Sequence, residues 1–128
     1  MNRPVHFEIH ASDPAALSKF YADVFGWSVT HMPAFNYWLI NTGDNDGPGI
    51  NGGMMKRMGP KPPGDGPVNA FVISLGVASV DEMLAKALAA GATVALPKMA
   101  IPGVGWQAYI KDPDNNIVGL HQPDTGAK

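Results

Sequence analysis

The chain contains no cysteine, and this absence excludes several kinds of site at once. Disulfide bonds, thiolate zinc sites, iron-sulfur clusters and cysteine nucleophiles all require that residue. The chain also lacks any apolar run near the roughly 18 residues of a transmembrane helix, and its first residues lack the apolar segment of a secretory signal. We therefore expect a cytoplasmic protein with no membrane partner.

The chain also has little excess of either positive or negative charge. The formal net charge is −2, and the largest basic cluster is the pair Lys56-Arg57. Such a pair is too small to follow the phosphates of a nucleic acid, so we expect no nucleic-acid partner. What the sequence does have is 45% hydrophobic residues in 128, which is enough for the core of one compact domain.

The two halves of the chain share one order of elements, on either side of a Gly- and Pro-rich segment predicted to be a linker, residues 59–67. Each half reads as a strand, a capped helix that ends at glycine, two further strands, a turn and a last strand. Asp13 and Ser79 are predicted to cap the helices, and Gly26 and Gly91 to end them. The period is roughly 65 residues, a repeat of one β-α-β-β-β unit.

We call these units module 1, about residues 4–58, and module 2, about residues 68–122. Together they predict a single α+β domain over residues 1–128. The paired units would form a curved, mostly antiparallel sheet with the helices outside and a concave cleft. The cleft would hold the site.

Strict alternation marks residues 4–10 as the first strand, with His6, Glu8 and His10 on one face. Imidazoles and carboxylates titrate, bind metals and accept hydrogen bonds, so this face is either the floor of a site or a solvated surface. Residues 69–75 are predicted to form the matching strand of module 2. Ser74 would then lie opposite Glu8.

Two glycine-containing segments need a physical reason. Gly52-Gly53 falls where a strand is expected, which predicts either a bulge or a backbone that another group approaches closely. Residues 97–105 are rich in proline and glycine and are predicted to be a loop. That loop would either cover the cleft or shield a sheet edge.

The strand from His6 to His10, Asp13 seven residues after His6, Phe20-Tyr21 and Gly26-Trp27 together resemble the signature of the vicinal oxygen chelate superfamily. Module 2 adds three matching segments, residues 79–82, 90–91 and 112–117. The superfamily includes glyoxalase I, bleomycin-resistance proteins and extradiol dioxygenases. The resemblance covers nearly the whole chain and implies a U-shaped cleft and a homodimer. It does not specify an activity, because the fold hosts isomerases, dioxygenases, conjugating enzymes and binders.

The resemblance implies metal ligands on the first and last strands of each module, and most of these positions carry no ligand here. His6 matches the first-strand position, but its counterpart in module 2 is Val72. The last-strand positions fall on Gly119 and on Gly52-Gly53. A zinc site needs three or four ligands, so we expect no metal cofactor. The alternative is a displaced site in which His6, Glu8 and His121 hold Zn, Ni, Mn or Fe.

Six residues are the candidate ligand-binding groups, and one of them is also the candidate catalytic residue. On an apolar cleft floor the pKa of Glu8 would rise, which would suit a general base; the competing interpretation is a carboxylate hydrogen-bonded to His6 or to a ligand. For Asn51 the competing role is to stabilise a turn. The candidates are His6, Glu8, Asn51, Ser74, Trp106 and His121.

The leading functional prediction is a protein similar to glyoxalases and bleomycin-resistance proteins that binds a small organic molecule without the usual metal. The alternative is a divalent-metal-dependent lyase or isomerase of the glyoxalase type, or a dioxygenase, in which the ion polarises vicinal oxygens of the substrate. A third possibility is a purely structural subunit. Aromatic residues and methionines favour binding, because they supply apolar area for a pocket.

Overall fold

The computed structural model describes residues 2–44, 47–68 and 70–128, and it confirms the α+β class. The chain divides into two compact units, residues 1–61 and residues 62–128. The division falls inside the segment that was predicted to be a linker. Among the described residues, each unit contains one helix and one four-stranded sheet.

Module 1 consists of β1 (Phe7–Ala11), α1 (Pro14–Phe25), β2 (Ser28–Met32), β3 (Tyr37–Asn41) and β4 (Gly52–Lys56). The order in sheet 1 is β1-β4-β3-β2, with β1 parallel to β4 and the other pairs antiparallel. The first and last strands of the module are therefore neighbours.

The sequence signals at the ends of α1 act as predicted. The Asp13 side chain accepts a hydrogen bond from the amide of Ala16 at 3.2 Å, and Gly26 ends the helix in the left-handed region at φ 74°. The apolar side of α1 packs on sheet 1 and forms the core of the module. Buried members of this core are Ile9, Leu17, Phe20, Tyr21, Val24, Ile40 and Met54.

Module 2 consists of β5 (Ser74–Gly76), α2 (Val80–Ala89), β6 (Thr93–Ile101), β7 (Gly105–Lys111) and β8 (Ile117–Pro123). The order in sheet 2 is β5-β8-β7-β6, with β5 parallel to β8. Sheet 2 thus repeats the topology of sheet 1, as the internal repeat predicted. No helix among the described residues is both long and apolar enough to cross a membrane.

The first strand of each module is shorter than predicted. β1 begins at Phe7, whose partner Gly52 is the first residue of β4, so residues 4–6 have no strand partner. His6 therefore lies just before the strand. In module 2 only Ser74–Gly76 pairs with β8, and Val72 precedes the strand. Residue 69, where that strand was predicted to start, lies outside the described residues.

The loop predicted over residues 97–105 was wrong for most of its length. β6 continues to Ile101, and only residues 102–104 form the turn into β7. Proline fits in β6 for two physical reasons. The strand lies at the edge of sheet 2, and its register with β7 shifts between Leu96 and Met99, around Pro97.

Candidate functional site

A polar cluster lies on the face of sheet 1 opposite α1. Ile9 and Met54 are buried towards the helix, so their strand neighbours Glu8 and Met55 point to the other face. We define the module 1 cluster as His6, Glu8, His10 and Tyr37. Glu8 and His10 side chains are 41% and 42% exposed, so the cluster is accessible to a ligand.

The cluster is one continuous hydrogen-bonded network. Glu8 Oε1 lies 2.9 Å from His10 Nε2, and Glu8 Oε2 lies 2.9 Å from the Tyr37 hydroxyl. His6 Nε2 lies 3.0 Å from the same hydroxyl. An ionised carboxylate only accepts, so Tyr37 donates its hydrogen to Glu8 and accepts from His6. The prediction that His6, Glu8 and His10 come together on one surface holds in this geometry.

The network sets the protonation of its two oxygen acids. The hydrogen bond from His10 and that from Tyr37 outweigh partial burial and hold the pKa of Glu8 below its ordinary value of 4.5. The rise expected from an apolar floor was therefore wrong, because the floor supplies donors. Burial, followed by the hydrogen bond to ionised Glu8, raises the pKa of Tyr37 to about 12. Glu8 is thus an ionised acceptor and Tyr37 a protonated donor.

Gly53 makes the position of Tyr37 possible. A Cβ atom at Gly53 would overlap the Tyr37 ring and hydroxyl, and one at Gly52 would overlap the main-chain oxygen of Phe7. Both residues pair in regular register with β1 and β3. Of the two explanations offered for this glycine pair, close approach is correct and a bulge is not. The approaching groups belong to the module itself.

Module 2 carries a second polar cluster, which we define as Ser74, Gln107 and His121. Gln107 Nε2 donates to Ser74 Oγ at 3.0 Å, and Gln107 Oε1 accepts from His121 Nδ1 at 2.9 Å. Gln107 is buried and Ser74 is exposed. The Ser74 oxygen and the Gln107 amide fill the space where a side chain at Gly119 would lie.

The two clusters occupy equivalent positions in the repeat. Glu8 pairs with Gly53 and Ser74 pairs with Gly119, and one sequence offset relates both pairs. Tyr37 and Gln107 each lie two residues before the partner of the glycine, so they share the glycine's face. Sequence reasoning missed both bridging residues. One signal could have found them. It is a polar residue on the neighbouring strand, two positions before the residue that pairs with a strand glycine.

Two candidates lie away from these clusters. Trp106 follows the alternation of buried Ala108 and Ile110, so it lies on the α2 side of sheet 2, opposite the face of Gln107. Its Nε1 donates to Asp124 Oδ2 at 3.0 Å. Asn51 Oδ1 accepts from the amide of Thr42 at 2.9 Å, which stabilises the connection between β3 and β4. For Asn51 this geometry favours the turn-stabilising interpretation.

Comparison with known proteins gives the family. A model of the glyoxalase-like domain matches residues 6–120, which is most of the chain. The chain belongs to the glyoxalase-like domain family. This confirms the resemblance to the vicinal oxygen chelate superfamily, and the match begins at His6, the first residue of the module 1 cluster.

Individual relatives agree with this assignment. CFP32 of Mycobacterium tuberculosis, a protein named as a glyoxylase, is 28% identical over 121 residues, covering 93% of this chain and 45% of CFP32. This glyoxalase-like domain thus spans about half the length of that relative.

Solved structures share the fold. The fosfomycin resistance protein FosX from Listeria monocytogenes superposes with a TM-score of 0.73 at 17% identity, covering 97% of this chain and 93% of FosX. A glyoxalase/bleomycin resistance protein/dioxygenase family enzyme from Burkholderia phytofirmans gives 0.69 at 20% identity, covering 93% and 97%.

The side chains of this glyoxalase-like domain do not fit the divalent metal site that the resemblance implies. Within residues 2–44, 47–68 and 70–128, no three His, Asp or Glu side chains are grouped as metal ligands. Gly53 and Gly119 stand where carboxylates were implied. The absence of a metal in the working protein stays a prediction.

Proposed function

We propose that this glyoxalase-like domain binds a small organic molecule through the module 1 cluster and needs no metal to do so. The observation that carries the proposal is the network itself. Four polar side chains from two strands and the segment before β1 hold one another at hydrogen-bond distance, although Glu8 and His10 are only partly shielded from water. A pre-ordered group of this kind lowers the entropy cost of binding.

The protonation of the cluster favours binding over acid-base catalysis. A general base works best when its pKa lies near the operating pH. The pKa of Glu8 is lowered by its donors, and that of Tyr37 is raised to about 12, so both are displaced away from neutrality. Each group is therefore suited to hold one protonation state, as an anchor does.

The same face also offers apolar contact area. Tyr37 pairs with Met32 on one side and Met55 on the other, and Leu39 is 46% exposed two residues further along β3. Flexible methionines adapt to irregular ligand shapes. A few polar anchors beside apolar side chains are the usual composition of a small-molecule site.

The name of one relative favours the alternative, an activity of the glyoxalase type. CFP32 is named as a glyoxylase, but it is about twice as long as this chain. We regard metal-dependent chemistry as the competing outcome of the test below. The cytoplasmic location and the homodimer also stay predictions, as does the role of the module 2 cluster as a second anchor.

The experiment uses untagged protein, so that no added histidine binds metal. Metal content is measured by inductively coupled plasma mass spectrometry, and a library of small organic compounds is screened by amide chemical shifts in excess EDTA. We expect substoichiometric metal and shifts around residues 6–10 and 37–39. A stoichiometric metal that His6→Ala removes, or binding that requires added zinc, nickel or manganese, would overturn the proposal.

A further inference from the structure

We propose that the module 1 cluster selects organic cations, which are ligands with an ammonium, amidinium or guanidinium group on an apolar body. This inference rests on the proposed function and specifies its ligand class. The argument depends on the direction of each hydrogen bond in the cluster.

When both imidazoles are neutral, the hydrogen bonds described for the module 1 cluster use every polar side-chain hydrogen it has. Tyr37 has one hydroxyl hydrogen and gives it to Glu8 Oε2. A neutral imidazole has one N–H group; that of His6 faces the Tyr37 oxygen and that of His10 faces Glu8 Oε1. With neutral imidazoles, none of these side chains keeps a hydrogen for a ligand. In that state the module 1 cluster can only accept hydrogen bonds from a ligand.

The acceptor that remains carries a full negative charge. Each carboxylate oxygen of Glu8 accepts one described hydrogen bond and has lone-pair capacity for another. The Glu8 side chain is 41% exposed, so a donor from a ligand can reach it. Hydrogen bonds between a cationic donor and a carboxylate are about twice as strong as neutral ones. At the Glu8 carboxylate an anionic ligand would instead meet like charge.

Module 2 supplies an internal contrast. Its network runs from His121 through Gln107 to Ser74, and it contains no carboxylate. The Ser74 oxygen accepts from Gln107, so its own hydroxyl hydrogen can be donated outward. The cation preference is thus a property of module 1 and depends on Glu8, not on the repeated architecture.

The apolar side chains beside the module 1 cluster account for the apolar body of the proposed ligand. Met55 and Leu39 share the face of Glu8 and Tyr37, since they lie two residues from Gly53 and Tyr37 respectively. A flat apolar body attached to the cationic group could contact these side chains. Aromatic amines and amidines have this shape and charge.

The test compares four probes with the same ring: benzylamine, benzamidine, benzyl alcohol and benzoate. Each is titrated at neutral pH in EDTA into the intact protein, followed by amide chemical shifts. The chain has two glutamates, so Glu8→Gln has a matched control in Glu82→Gln, which removes an exposed carboxylate on α2. We expect the two cations to bind about two- to fivefold tighter than benzyl alcohol, the range that an exposed ion pair supplies.

The variants separate this inference from the proposed function. Glu8→Gln should remove the preference for the cations, whereas Glu82→Gln should keep it. If benzyl alcohol or benzoate binds at the cluster as tightly as the cations, the ligand class is wrong and small-molecule binding stands. If all four probes and the wider compound library leave residues 6–10 and 37–39 unshifted, the proposed function itself fails.

Discussion

A graded series of glycine-to-alanine substitutions tests how the module 1 cluster is built. Gly76, in β5, has open space around a Cβ position, whereas Gly53 faces the Tyr37 side chain and Gly52 faces a main-chain oxygen. All three are strand glycines with ordinary backbone angles, because none has a positive φ. They differ in what an added methyl group would displace.

The expected free energies of unfolding follow from those neighbours. Gly76→Ala should stabilise the protein by about 0.5 kcal/mol, because alanine loses less backbone entropy on folding. Gly53→Ala should gain the same stabilisation from backbone entropy. Its added methyl group, however, displaces Tyr37, which then loses its hydrogen bonds to Glu8 and His6. For a partly exposed carboxylate these bonds contribute about 1–2 kcal/mol together, so the net loss is about 1 kcal/mol. Gly52→Ala must move paired backbone and should cost about 3 kcal/mol.

The assay is urea denaturation at neutral pH, followed by tryptophan fluorescence and far-UV circular dichroism. Removing the Tyr37 ring supplies the decisive comparison. In a Tyr37→Ala background, Gly53→Ala should become neutral or stabilising, like Gly76→Ala. The cost of Gly52→Ala should persist there, since its obstacle is the Phe7 main chain.

Two results would refute this reasoning. Gly53→Ala could be as stable as the parent protein with the Tyr37 network intact, as judged by the titration of Tyr37. Alternatively, its cost could be unchanged when Tyr37 is alanine. Either result would show that Gly53 does not provide the space in which Tyr37 reaches Glu8.

Three further predictions concern titration and capping. One of the three tyrosines should titrate near pH 12 in absorbance at 295 nm, and Tyr37→Phe should remove that step. The contribution of Tyr37 to the free energy of unfolding should be present below about pH 10 and should disappear as the pH rises to about 12. Because the pKa of Glu8 is lowered, its contribution to the free energy of unfolding is present above about pH 4.5 and is lost in more acidic solution. Glu8→Gln should therefore flatten the acid side of the profile of unfolding free energy against pH. An unchanged slope on that side would contradict the network. Asp13→Ala should destabilise the fold by about 1 kcal/mol in urea, since it removes the cap of α1, while Asp13→Asn should cost much less.

The fold could be predicted because its signals are local and occur twice. Capping residues, terminal glycines and alternating strands mark each module, and the same order in both halves gives the topology. The predicted loop over residues 97–105 failed because proline and glycine content does not reveal edge position. A strand at the sheet edge with a shifted register tolerates Pro97, and only the three-dimensional pairing shows this.

The candidate site could be predicted only along single strands. Alternation placed Glu8 and His10 on one face, and the repeat pointed to Ser74 and His121. The bridging residues Tyr37 and Gln107 come from β3 and β7, and their reach depends on cross-strand register, which no local pattern gives. The sign of the Glu8 pKa shift depended on side-chain hydrogen bonds that alternation does not reveal, above all the bond from His10 on the same strand and then the bond from Tyr37. An apolar surrounding would have raised the pKa of Glu8, but His10 and Tyr37 donate hydrogen bonds to its carboxylate and lower it.

The most direct test of metal-independent binding at the module 1 cluster is a single titration. The tightest compound from the library screen is added to untagged, isotopically labelled protein in excess EDTA, and amide shifts are mapped along the chain. The account predicts saturable shifts centred on residues 6–10, 37–39 and 53–55 that Glu8→Gln weakens. Shifts that are centred elsewhere, or that appear only after zinc, nickel or manganese is added, would contradict it.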